Sequence, residues 1–177
     1  MELTTLNSPE QLLAIEAGTL DGGFIYQYGS VPAGVATLPL LDNDVVLAVP
    51  RSWGMNHEAQ ANIDITSMTG RPFVMLPRAV YPTYYDKLIE ACQRLGFNLN
   101  VVNEASSEAT ILSLVCSGIG AAIVNAANLG RPPAQVQFFA LNDLSIPMPL
   151  VFAYPRESTN PALSRFISIL HATLSDA

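Results

Sequence analysis

The chain has 177 residues, 50 % of them hydrophobic and 13 % charged, which is enough apolar material for a sizeable core and far from the composition of disordered chains. Its 8 Lys+Arg against 15 Asp+Glu leave a net charge of −7, so no basic surface is available to grip a phosphate backbone. The longest weakly polar stretch, residues 111–124, is broken by Ser113, Ser117, Gly118 and Gly120. It falls short of the roughly 20 residues that a bilayer span needs, so no membrane helix is expected.

In chain order, Ser8-Pro9-Glu10-Gln11 puts a hydroxyl at an N-cap, proline at the first helical position and glutamine three residues after the cap. That predicts a helix from Pro9 with an apolar face of Leu12, Leu13 and Ile15, flanked by Ala14 and Ala17, and ended by Gly18. Asp21-Gly22-Gly23-Phe24-Ile25 then reads as a turn into a buried strand. Residues 45–49 are a continuous run rich in β-branched side chains, as in a strand covered on both faces, and Pro50 closes it. Residues 51–69 are polar and irregular, with Ile63-Asp64-Ile65 as a docking loop; residues 71–76 form a further strand stopped by Pro77.

The Tyr81-Pro82-Thr83-Tyr84-Tyr85-Asp86 stretch opens a second helix, capped by Thr83 or Tyr81, with Leu88, Ile89, Cys92 and Leu95 as its apolar stripe and Gly96 at its end. Residues 99–102 give the next strand, Ser106 or Ser107 caps a third helix reaching Gly118, and residues 121–124 form another strand. The order β, α, β, α, β at regular spacing is the pattern of parallel crossovers with helices packed on a sheet. After the Gly130-Arg131-Pro132-Pro133 turn come strands at 136–141 and 150–154, then a final helix over 162–174 capped by Asn160-Pro161.

Nothing in these residues composes a catalytic centre: there is no His/Cys metal spacing, no Gly-rich phosphate loop after a strand and no nucleophile elbow. No catalytic residue, metal or cofactor is therefore expected. Asp42 and Asp44 read as solvated turn residues, His57 as a solvated side chain, and Cys92 and Cys116 as buried free thiols. The start MELTTLNSPE lacks a basic segment followed by an apolar block, so a cytoplasmic protein is expected.

The blocks Ser8-Pro9-Glu10-Gln11, Ala17-Gly18-Thr19-Leu20-Asp21-Gly22-Gly23-Phe24, Leu38-Pro39-Leu40, Leu47-Ala48-Val49-Pro50, Pro77-Arg78, Ile111-Leu112-Ser113-Leu114-Val115 and Gly118-Ile119-Gly120 occur in an order and at spacings that resemble the effector-binding domain of LysR-type transcriptional regulators. The resemblance covers nearly the whole chain. It implies an α/β fold of the type 2 periplasmic-binding-protein kind, with two Rossmann-like lobes joined by two crossover strands. The first lobe would hold residues 1–48 and 152–177, the second 49–151, with the passages near Val49-Pro50 and Leu150-Val151. It also implies that the DNA-reading helix-turn-helix, the linker helix and the first strand-helix unit of the first lobe are absent, so that this lobe is incomplete. The first lobe would then rearrange or borrow a strand from a partner.

In an open α/β lobe ligands bind beyond the carboxyl ends of the strands, where helix starts present N–H groups and positive dipole. Three helix starts qualify here: Asn7 and Ser8, Tyr81 to Thr83, and Ala105 to Ser107. The resemblance implies effector contacts at the first two, at the strand end after Gly120 and near the crossovers, in a cleft between the lobes. Carried over by position, the ligand-binding residues are Asn7, Ser8, Tyr26, Pro77, Tyr81, Pro82, Thr83 and Asn125, the last standing where the family commonly has proline. Each has a plainer reading beside this one: Ser8 as a simple helix cap, Tyr81, Tyr84 and Tyr85 as packing residues, Tyr26 and Tyr28 as surface side chains, Arg78 as one half of a structural ion pair.

The expected function is a small-molecule sensor for an organic anion, with a homo-oligomer or an intact regulator chain as protein partner and neither nucleic acid nor membrane bound by this chain. Two other readings stand beside it. One is a solute-binding protein, which would carry a secretion signal; the other is an interaction fragment that pairs with intact regulators and poisons them.

Overall fold

The computed structural model describes residues 2–55 and 62–175; His57 lies outside them. The elements in chain order are α1 (Ser8–Glu16), β1 (Gly23–Tyr26), β2 (Val35–Leu41), β3 (Val45–Pro50), β4 (Asn62–Ile63), β5 (Pro72–Met75), α2 (Pro82–Arg94), β6 (Asn100–Glu104), α3 (Glu108–Cys116), β7 (Ala122–Asn125), β8 (Val136–Leu141), β9 (Leu150–Pro155) and α4 (Pro161–Ser175). Contacts group them into two units, Met1–Asp42 with Pro149–Ala177, and Asn43–Met148. The whole of β3 belongs to the second unit because both its neighbours, β7 and β8, lie there. The chain therefore passes between units at Asp42-Asn43 and Met148-Pro149, not at Val49-Pro50 and Leu150-Val151.

In the first unit β9 runs antiparallel between β1 and β2. The sequence gives no clear sign of β2, because Pro39 stands inside it; proline is tolerated there because β2 is an edge and its missing N–H removes no ladder bond. One face of this sheet, through Ile25, Val35, Val151 and Ala153, packs on Ile15 of α1. The other, through Leu38 and Phe152, packs on Leu163, Phe166, Ile167 and Leu170 of α4. The apolar face of α1 is narrower than its composition suggests, since Leu13 is 66 % exposed. Gly18, with φ of 71°, ends that helix as expected, and the next N–H, from Thr19, turns back to the carbonyl of Ala14 at 2.9 Å.

The second unit contains the expected alternation. β5 and β6 pair in parallel, and a parallel bridge between Phe73 and Ala121 attaches the approach to β7. That junction needs glycine at 120: a Cβ there would meet the Pro72 carbonyl oxygen at 2.9 Å, so a side chain would push apart the strands that Val74 N–H and Ala121 N–H stitch together. β3, buried at all six positions, runs antiparallel to both β7 and β8, and β4 adds in parallel to β8. The segment 63–65 is thus more than a docking loop, because Ile63 is a strand residue paired with Leu141. Phe73, Val74, Leu88, Ile111, Val115 and Phe139 are all buried in this unit, and Phe73 meets Phe97 edge to face at 5.8 Å.

Two sequence readings of single side chains need correction. Asp44 is not a solvated turn residue: its Oδ1 accepts from the N–H groups of Val45 (2.7 Å) and Ile146 (2.6 Å), and its other oxygen accepts from the Ser145 hydroxyl, fastening the 145–146 segment to the start of β3. Cys116 is partly exposed, whereas Cys92 is buried. Burial, reinforced by Asp143, pushes the Cys92 thiol up to about 11, which keeps it protonated and unreactive at neutral pH.

Candidate functional site

In the first unit α1 does not start as its sequence suggests. The N-cap is Asn7, not Ser8: Asn7 Oδ1 accepts from Glu10 N–H at 2.8 Å and Glu10 Oε2 accepts from Asn7 N–H at 3.1 Å, a reciprocal capping box. Asparagine wins the cap because Glu10 lies three residues beyond it, whereas a cap at Ser8 would have paired with Gln11, whose amide instead donates to the Leu6 carbonyl at 2.9 Å. Ser8 becomes the first helical residue, and its Oγ accepts from Tyr26 N–H at 3.1 Å at the end of β1. A hydroxyl oxygen that accepts still has its own hydrogen to donate. Asn7, Ser8 and Tyr26 are therefore brought together, with all three half-buried.

In the second unit the parallel direction of β5, β6 and β7 sends their carboxyl ends the same way. Pro77 follows β5, α3 begins after β6, and Asn125 ends β7. The Pro77 carbonyl accepts from the N–H groups of Val80 (3.0 Å) and Tyr81 (3.1 Å), folding the connection that delivers the chain to α2. The cap position of α2 is Tyr81, whose side chain does not cap the helix, and Pro82 and exposed Thr83 follow. The first amides of this helix thus receive no acceptor from a cap side chain, while the macrodipole makes that end positive. Tyr84 anchors the helix by donating its buried hydroxyl to the Ile123 carbonyl at 3.2 Å, which ties α2 to β7 two residues before Asn125. Burial raises the Tyr84 phenol far above its ordinary value, so it stays a donor.

Arg78, beside this connection, is held bidentately by Asp86 at 2.7 and 2.9 Å. The hydrogen bond from Arg78 lowers the Asp86 carboxyl, and both side chains are more than half exposed. The ion-pair reading of Arg78 is the one the structure bears.

The start of α3 differs. Ser107 caps it and Glu108 opens it. The enclosed Glu108 carboxyl accepts from Asn125 N–H at 3.1 Å and from Asn128 Nδ2 at 3.0 Å, and burial pushes it up from the ordinary glutamate range. This helix start already carries its own acidic group, so it is a poor place for a ligand anion. Glu108 is absent from the residues proposed from sequence; an acid directly after a cap serine is so common at a helix start that only its reach to β7 distinguishes it. Asn125 has its remaining groups matched except one: Oδ1 accepts from Ala127 N–H at 2.7 Å, its carbonyl accepts from Asn128 Nδ2 at 2.8 Å, and Nδ2 is buried without a partner, as is Asn43 Nδ2. A buried donor left so costs about 1–3 kcal/mol.

Among the described residues no group of His, Cys, Asp and Glu could hold a metal ion, and no helix is long and apolar enough to cross a membrane.

Comparison with known proteins agrees with this architecture. The HTH-type transcriptional regulator IlvR of Caulobacter vibrioides is 27 % identical over 172 residues, covering 96 % of this chain and 56 % of that protein. The structure of CbnR, a LysR family transcriptional regulator, is similar with a TM-score of 0.80 at 20 % identity, over 98 % of this chain and 59 % of that one. The effector binding domain of QuiR in complex with shikimate is similar with a TM-score of 0.74 at 12 % identity, over 96 % of this chain and 79 % of that domain. The chain thus spans little more than half the length of the regulators it resembles and four fifths of an effector-binding domain. The model of the LysR substrate binding domain matches residues 1–175, and with it the type 2 periplasmic-binding-protein-like fold: the chain belongs to the LysR substrate-binding domain family.

Proposed function

We propose that this chain is the effector-sensing part of a LysR-type regulator and that its effector is a small organic anion. The observation that carries the anion is the start of α2, a helix of 13 residues whose cap position supplies no side-chain acceptor and which lies at the carboxyl edge of the parallel strands. Helix starts of this kind favour carboxylates and phosphates. The residues proposed to touch the effector are Asn7, Ser8 and Tyr26 on the first unit and Pro77, Tyr81, Pro82, Thr83 and Asn125 on the second. Ser8 supplies a hydroxyl donor, and the edge of α2 supplies amide donors. That a neighbour's effector binding domain holds shikimate, itself a carboxylate, supports the same class. The chain contributes binding and not catalysis on this reading, with no cofactor, and acts in the cytoplasm.

A thermal-shift screen tests this. Small carboxylates raise the melting temperature in a concentration-dependent way and their amides do not, and Ser8→Ala weakens the response. A screen in which neutral compounds shift the transition and carboxylates leave it unmoved overturns the anion.

Pairing with a second regulator chain is supported by β1, which among the described residues has β9 as its only strand neighbour and carries Phe24 at 48 % exposure. An open strand edge beside a half-exposed aromatic is what a partner covers. Light scattering on the purified chain decides this: a mass of one chain at every concentration rules the pairing out.

A further inference from the structure

We infer that the first unit holds a second binding site, separate from the effector contacts, for a small zwitterion of the α-amino acid class. It is a surface cavity of about 540 Å³ between the end of α1, the turn at Ala33-Gly34 and the connection from β9 to α4. All of its lining belongs to that unit. It lies at the far end of the unit from Ser8 and Tyr26. From Ser8 to Glu16 α1 rises about 12 Å at 1.5 Å per residue, and β9 meets Tyr26 at Leu150 but lines the cavity at Pro155.

Its cationic group is Arg156. The backbone N–H of this residue donates to the Gly34 carbonyl at 2.8 Å, and its guanidinium donates from Nε to the Ala33 carbonyl at 3.0 Å and from Nη2 to the Val35 carbonyl at 3.1 Å. Neutral carbonyls thus take one edge of the planar group and fix it. Nη1, which makes no hydrogen bond among the described residues, and the second Nη2 hydrogen remain as a paired donor end, the geometry that receives a carboxylate. Ser158, whose Oγ accepts from Asn160 N–H at 3.2 Å, keeps its own hydrogen for the same anion. The cavity also carries acid. Glu16 ends α1, where the macrodipole is negative and no basic residue occupies the last turn, and Glu157 follows Arg156. Among the described residues the ion pairs are Arg78–Asp86 and Arg94–Glu90, so neither glutamate neutralises Arg156 by contact. A lone anion would be opposed by the two carboxylates and a lone cation by the fixed guanidinium, whereas a carboxylate and an ammonium on one carbon answer both.

The test is a titration of the whole isotope-labelled chain with the common L-α-amino acids, followed through its backbone amide resonances. At least one amino acid moves those of residues 33–34 and 156–160 and leaves those of Ser8 and Tyr26 in place. Its deaminated acid and its decarboxylated amine, for leucine 4-methylpentanoate and 3-methylbutylamine, each bind about tenfold or more weakly. Arg156 also braces the turn at 33–35, so Arg156→Ala loosens the fold as well as the site. Glu16→Gln combined with Glu157→Gln, both at exposed positions, is the variant that spares the fold. It weakens the amino acid about tenfold and leaves the deaminated acid bound no more weakly than before. The inference is overturned if no amino acid moves these resonances, if either truncated analogue binds as well as its parent, or if the shifts fall on Ser8 and Tyr26 instead. That last result upholds the sensor reading while removing this site. Shifts at 156–160 in a chain that no small carboxylate stabilises do the reverse, so the two readings fail separately.

Discussion

The helix starts of the two units keep different chemical company. In the first unit both are closed from within: α1 by the Asn7–Glu10 box, and α4 by Asn160, whose Oδ1 accepts from Ala162 N–H at 3.0 Å while its Nδ2 reaches Asp21 at 3.0 Å. In the second unit the two starts divide the work. α3 is closed by Ser107 and by the Glu108 carboxyl that reaches across to β7, while α2 is left with no side-chain cap. A cap is worth about 1 kcal/mol, so a helix start without one gives up stability that a ligand can restore. If the effector is the anion proposed above, the start of α2 is the one of these four that would receive it.

The contrast is broken most severely through the core that holds the parallel edge in place. Phe73, 1 % exposed, lies in β5, forms the bridge to Ala121 and packs on Phe97. Phe73→Ala is expected to destabilise the second unit by about 3–5 kcal/mol in urea unfolding, with the carboxylate response lost in the same sample. A cost below about 1 kcal/mol would mean that the edge does not depend on this junction.

Next in size is the closed start of α3. Glu108→Gln sets an NH₂ against either the Asn125 N–H or the Asn128 amide and is expected to cost about 1–3 kcal/mol. Its pH dependence sharpens the comparison. Burial raises the folded-state value of Glu108, so in the window from the ordinary glutamate range upward the folded chain binds more protons than the unfolded one. Stability from this group is then fully present below that window and declines as pH rises through it. The gap between wild type and Glu108→Gln should accordingly be widest in acid and narrow toward neutrality; a gap that widens with pH would show the carboxylate to be the favoured form in the fold.

Much of this arrangement was legible in the residues. The strand at Val45–Pro50 announced itself because a strand buried on both faces has no polar alternation to confuse it, and the alternation of β5, α2, β6, α3 and β7 followed from Gly96, Gly118 and the prolines at their ends. What escaped was whatever depends on partners far along the chain. Asp44 looks like a turn residue until residues 145–146 arrive 101 and 102 positions later to donate to it. Ser8 looks like a cap until Asn7 and Glu10 take that task and leave its hydroxyl for Tyr26. Glu108 was invisible as a site residue for the same reason, since its significance lies in Asn125 and Asn128. For the effector contacts, sequence could name the helix starts but not tell which were already occupied, because occupancy is a matter of tertiary hydrogen bonds.

The smallest expected effect concerns the pair beside the open start of α2. Arg78 and Asp86 are both largely exposed, so their bidentate geometry is screened by water and salt and should contribute nothing measurable to unfolding at neutral pH. Asp86→Asn is expected to leave the urea midpoint unchanged there. Whatever small contribution remains is present above the ordinary aspartate range, neutral pH included, and is lost as pH falls through the lowered value, because the hydrogen bond from Arg78 lowers the Asp86 carboxyl. The same substitution releases the Arg78 guanidinium next to the uncapped amides, and a freed cation there should tighten carboxylate binding in a way that added salt removes. Tighter binding with an unmoved midpoint would separate the ligand chemistry of this edge from its folding, whereas weaker binding would show that the ion pair itself shapes the connection from Pro77 to Thr83.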